Sequence, residues 1–165
     1  MSYNFTEANA PYAATFDKGD LDIPPAKKLL IITCMDARID TGKAFGLSEG
    51  HAHVVRNAGG RAVDAIRNVL ISQRLLGTRE IAVVHHTKCG MFLFQNPDLR
   101  GILSEAHPDH KADIQKIEFF PLEEPIEKGV REDVKFLKEH PLVLKETVIT
   151  GWVFDVASGK VTQVV

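Results

Sequence analysis

Residues 29–33, Leu-Leu-Ile-Ile-Thr, form a short continuous apolar run between a pair of lysines and a cysteine. With no polar residue alternating through it, such a run is the mark of a strand buried on both faces. From there the chain alternates strand-like and helix-like segments. Residues 53–56 (His-Val-Val-Arg) are a second, shorter strand, ended by Asn57-Ala58-Gly59-Gly60. Over residues 61–76, Val63, Ile66 and Leu70 share one side of a helix, and Gly77 stands where a C-cap glycine belongs. Residues 81–85 are the clearest strand. A helix is expected over 98–106 and a short strand over 117–120. Ile126, Val130, Val134 and Leu137 then mark an amphipathic helix that stops at His140-Pro141. Residues 147–156 and 160–165 read as two strands joined by a Ser158-Gly159 turn. This alternation predicts an α/β fold with a central, mainly parallel β-sheet flanked by helices.

At 165 residues the chain fits one domain spanning 1–165. The formal net charge of −2, with both signs interspersed, gives no electrostatic footprint for nucleic acid or an anionic membrane. No apolar run approaches the ~20 residues of a membrane span. The first twenty residues lack the basic start and apolar stretch of a signal peptide, so an intracellular, cytoplasmic location is expected. Two cysteines allow at most one disulfide. In a reducing compartment they are core residues, a reactive thiol or metal ligands.

In parallel sheets, ligands gather beyond the C-terminal ends of the strands. Three segments stand there: Cys34-Met35-Asp36-Ala37-Arg38, Arg56-Asn57-Ala58-Gly59-Gly60 and His85-His86-Thr87-Lys88-Cys89-Gly90. If the strands are neighbours, both cysteines meet in one crevice. Two thiolates and an imidazole suit zinc. His86 and Cys89, three apart across a turn, can face one ion, with Cys34 closing the site from another strand. A buried Cys34 packing as a small hydrophobe, beside a surface His-Cys turn, is the plainer alternative. Asp36 and Arg38 are two apart and can pair, either as a simple surface ion pair or as part of the site. His85 neighbours His86 on a strand and so points to the opposite face, into the sheet or its interface. His51 and His53 read as surface turn residues, with proton relay as the alternative.

The segments CMDAR, RNAGG and HHTKCGM, in that order and separated by a helix, resemble the β-class carbonic anhydrases, and especially their short, compact members. The likeness runs from Lys28 to Met91 and continues loosely to the C-terminus. It implies that Cys34, His86 and Cys89 bind one Zn²⁺ per chain and that Asp36 with Arg38 form the catalytic dyad. It also implies two states of Asp36, as fourth ligand or paired with Arg38, and hence a pH switch. The implied reaction is hydration of CO₂ to bicarbonate by attack of zinc-bound hydroxide. Asn57, Gly59 and Gly60 would form the substrate-side wall, where glycines permit close approach and helix-start amides face an oxyanion. Gly59 and Gly60 are equally explained by a tight turn. Lys88 departs from the acidic residue common at this place in the family.

Hydrolysis of carbonyl sulfide on the same zinc site, which some compact relatives perform, is the alternative reaction. A non-catalytic zinc-stabilised binding module is the third reading, disfavoured by the Asp36–Arg38 pair, which a closed structural site does not need. The family implies a homodimer at least. Residues 1–24, carrying Tyr3, Phe5, Tyr12 and Phe16, are too aromatic for a free tail and are expected to pack as an arm on a neighbouring subunit.

Overall fold

The structure, a computed structural model, describes residues 2–165. Its sheet has five strands in the order β2-β1-β3-β4-β5: β1 Leu29–Cys34, β2 Ala52–Asn57, β3 Glu80–His86, β4 Val148–Phe154 and β5 Val161–Gln163. The first four run parallel, and β5 returns antiparallel beside β4. The helices are α1 Phe5–Ala13, α2 Thr41–Phe45, α3 Ala62–Leu76, α4 Asn96–Ala106, α5 Lys111–Ile114 and α6 Ile126–Glu139. The expected mainly parallel α/β sheet is therefore present.

Strand β1 sits between β2 and β3, so the chain leaves β1 to one side and crosses back to the other. That reversal is the topological switch point at which open α/β sheets form a crevice. Register fixes the arrangement: Cys34 lies beside Asn57, and Thr33 lies between Arg56 and Val84. On one face Leu30, Ile32, Ile81, Val83 and Ile149 pack against Ala65 and Val69 of α3 and Val134 and Leu137 of α6. Fully burying each such side chain contributes about 1.5–3 kcal/mol. On the other face Ile31, Val84 and Phe154 pack with Ile39, Leu122 and Met91.

Helix α3 ends where expected, with Gly77 in the left-handed region at φ 74°. The short α2 had been missed, although its signals are local: Asp40 caps it by accepting from the Lys43 amide, and Gly46 closes it at φ 63°. The expected strand over 117–120 is absent. Side chains of α4 take its backbone groups instead, for Arg100 donates to the Ile117 carbonyl and Asn96 accepts from the Phe119 amide. The segment thus has no ladder to join.

His53 also differs from expectation. It lies within β2, half-buried, with Nδ1 2.7 Å from the Ser72 hydroxyl. His51 is a turn residue and accepts from the Ser48 amide. Helix α1 is capped by Asn4 and buries none of its residues. Tyr3 and Phe5 are 71% and 77% exposed, and the Tyr12 hydroxyl reaches Glu49 at 3.4 Å.

Candidate metal centre

The C-terminal ends of β1 and β3 bring Cys34, His86 and Cys89 together, all buried, with their ligand atoms within 4.8 Å of one another. The two sulfurs are 3.9 Å apart. Tetrahedral coordination with metal–sulfur bonds near 2.3 Å places two sulfurs about 3.8 Å apart. His86 Nδ1 lies 3.0 Å from the Thr87 carbonyl, which can only accept, so Nδ1 carries the proton. Nε2 is then a bare lone pair, buried and without a hydrogen-bond partner. Two sulfurs and an unpartnered imidazole nitrogen facing one point fit a metal ion, and the softness of the set suits Zn²⁺.

The two thiols are in contact, and either can donate. That contact above all holds the Cys34 thiol well below its ordinary value. Cys89 is pushed up by the same contact and by burial.

Asp36 and Arg38 form the expected pair. The guanidinium donates from Nε and Nη2 to the two carboxylate oxygens at 2.8 and 2.6 Å, and the Arg38 amide donates to Oδ1 at 2.9 Å. These contacts, Arg38's side chain foremost, hold the Asp36 carboxyl well below the usual carboxylate range. Oδ2 stands 3.7 Å from His86 Nε2, so the carboxylate borders the metal position while Arg38 holds it. Arg38 Nη2 also donates to the Lys88 carbonyl at 3.0 Å, joining the two ligand-bearing loops. Lys88 itself is exposed, at φ 54°.

A crevice of about 320 Å³ opens here, with Cys34, Met35, Asp36, Gly59, Cys89 and Met91 in its lining. Gly59 lines it at φ 79°. Gly60, at φ 69°, presses on β1 so closely that a Cβ would lie 2.9 Å from the Thr33 carbonyl carbon. Asn57 stands behind this wall: its side chain accepts from the Arg61 amide at 2.7 Å and donates to the Arg61 carbonyl at 2.8 Å. Its amide group therefore holds the turn.

Sequence reasoning missed the supports. Arg56 donates to the carbonyls of Cys34 and Asp36 at 3.0 and 2.7 Å, a reach its register beside Thr33 permits. Thr87 donates to Asp155 at 2.9 Å and accepts from the Val156 amide, fastening the ligand turn to the end of β4. His85, fully buried on the opposite face as expected, bonds Asp133 of α6 at 2.9 Å. Only the third of these was foreshadowed by a sequence pattern, the strand alternation.

The family described as Carbonic anhydrase matches residues 29–161. Beta-carbonic anhydrase 1 of Mycobacterium tuberculosis is 40% identical over 94% of this chain and 93% of its own length. A carbon disulfide hydrolase of Acidianus is 32% identical over 86% of this chain and 79% of its own. Among solved structures, the carbonic anhydrase from Glaciozyma antarctica is 45% identical and superposes over both complete chains with a TM-score of 0.94. No helix among the described residues is long and apolar enough to cross a membrane. With the metal-ligand triad, the paired Asp36 and Arg38 and the glycine wall in one crevice, and with these relatives matching nearly end to end, the chain belongs to the β-class carbonic anhydrase family.

Proposed function

We propose that the protein is a zinc enzyme that reversibly hydrates CO₂ to bicarbonate, with one Zn²⁺ per chain held by Cys34, His86 and Cys89. The observation that carries this reading is the unpartnered, buried Nε2 of His86, facing two sulfurs beside a carboxylate that Arg38 keeps ionised. When bound, Zn²⁺ acidifies water towards a neutral pKa.

The chain's own groups do the rest. Asp36 Oδ2 accepts a hydrogen from the attacking water and orients its lone pair into the crevice. Arg38 keeps that carboxylate charged and turned towards His86. CO₂, which is apolar and linear, rests against Gly59 and the side chains of Met35 and Met91. The released proton leaves through the open side of the crevice, past the exposed Met35.

Carbonyl sulfide hydrolysis is the second reading, supported by the carbon disulfide hydrolases among the relatives. The Acidianus enzyme is 32% identical, against 40% and 45% for the carbonic anhydrases, which favours CO₂. Zinc-loaded protein should acidify a CO₂ solution rapidly and release H₂S from carbonyl sulfide slowly. The reverse ranking would overturn the assignment.

The same reading includes a homodimer in which residues 1–24 lie on the second copy. Helix α1 buries nothing on its own subunit, and its aromatic residues stand in solvent. A single-chain mass by light scattering at micromolar concentration would refute it.

A further inference from the structure

Arg61 follows the glycine turn directly and does not line the crevice, yet its side chain passes close to Gly59 and reaches the supports of the crevice lining. Its Nε lies 3.0 Å from Asp133 Oδ2, and the two side chains are only 14% and 2% exposed. Its Nη1 donates to the carbonyls of Phe120 and Pro121 at 3.2 and 3.1 Å. The next residue, Leu122, donates its amide to the Met91 carbonyl at 2.9 Å. Met91 packs directly on Gly59, where a Cβ would come within 3.1 Å of Met91 Cγ, and both line the crevice. The backbone of Arg61 is clasped at both ends by Asn57. One guanidinium thus ties the glycine turn, through residues 120–122, to Met91.

Asp133 is the counter-charge of the guanidinium, a close ion contact rather than a hydrogen bond, since Nε finds no aligned acceptor. Asp133 Oδ2 accepts from His85 Nε2 at 2.9 Å, so the carboxylate is held from β3 while it faces Arg61. Arginine suits this place because its planar fork can face a carboxylate and two carbonyls at once, which a lysine ammonium cannot do in the same geometry. None of these side chains lines the crevice.

We infer that Arg61, paired with Asp133, is a positioning residue that holds Met91 on Gly59 and thereby sets the width of the crevice and the preference between CO₂ and its bulkier sulfur analogue. The inference rests on the proposed zinc-dependent hydration at this site. Sulfur is larger than oxygen, and small changes of pocket size alter selectivity by roughly 10–200-fold. A brace that keeps Met91 against Gly59, and the crevice narrow, therefore disfavours carbonyl sulfide.

The test uses the zinc-loaded full chain and the double variant Arg61→Met/Asp133→Asn, which removes both buried charges together so that neither is left unpaired. Zinc should stay at one per chain. KM for CO₂ should rise about fivefold while kcat changes less than about twofold, and the carbonyl sulfide to CO₂ preference should rise about tenfold. Amide hydrogen exchange should quicken at residues 58–60 and 90–92 and at Leu122. Arg61→Lys, which keeps a charge against Asp133, should shift preference the same way by a smaller factor, and it serves if the double variant does not fold. An unchanged preference with unchanged exchange in a folded, zinc-loaded variant overturns the inference. So does a fall in kcat alone, or loss of zinc. Wild-type protein inactive on both gases would sink the proposed reaction instead, and the exchange measurement would still decide whether Arg61 holds Met91 on Gly59.

Discussion

Two histidines, neighbours on β3 and both 0% exposed, have opposite fates. His86 turns its Nε2 to the two cysteines and finds no hydrogen-bond partner. His85 turns its Nε2 to Asp133 and is satisfied at 2.9 Å. His85 Nδ1 is also unpartnered, but it lies against Gly129, where even a Cβ would sit 3.3 Å away, leaving no space for an ion. Burial alone therefore does not mark a ligand. What marks it is a lone pair with room before it and other donors across that room, since a buried polar atom left unmet costs about 1–3 kcal/mol.

The sharpest way to break this contrast is to exchange the losses. His86→Ala should weaken zinc binding by more than about 100-fold and reduce CO₂ hydration to background, because a direct ligand outweighs the 10–100-fold of its supports. His85→Ala should keep the metal. Competition with a chromophoric chelator measures both, and equal zinc loss would erase the distinction.

On the His85 side the expected loss is of stability. Asp133→Ala leaves the largely buried Arg61 guanidinium without its counter-charge and should cost about 3–5 kcal/mol in urea unfolding, with zinc retained. On the His86 side, Asp36→Ala should lower kcat/KM by roughly 10–100-fold at unchanged zinc content. Undiminished turnover would remove Asp36 from the chemistry.

The smallest effect concerns the fastening of the ligand turn. The Ser158 hydroxyl, the Ala157 amide and the Thr87 hydroxyl hold the Asp155 carboxyl down to about 2. Its folded value lies below the unfolded one of about 3.9, so its contribution is present above pH ~4 and disappears as pH falls through ~2. Asp155→Asn should therefore lower Tm modestly at pH 6, with the difference vanishing towards pH 2 in a calorimetric series.

The strands that build the site were legible because each is a dense apolar run ending at a chemically distinctive residue. The choice of His86 over His85 came from the likeness of HHTKCGM to the family's motif, with strand alternation sending His85 to the opposite face, and the Asp36–Arg38 pair from spacing. The braces were not legible. Arg61 and Asp133 are far apart in the chain and meet only after α6 packs on the sheet, and Arg61 reads as an ordinary charged residue at a helix start. The expected strand at 117–120 failed for a related reason. Its apolar residues carry strand propensity, but Asn96 and Arg100 offer its backbone nearer partners than any sheet edge.

Cys34 lies on β1 and Cys89 just beyond β3, 55 residues apart. No short stretch of the emerging chain therefore carries the complete donor set. His86 and Cys89 make a weak two-point chelate until β3 has docked beside β1 and brought the second thiol. Retention of a metal against a chelator would therefore report that the central strands have paired correctly.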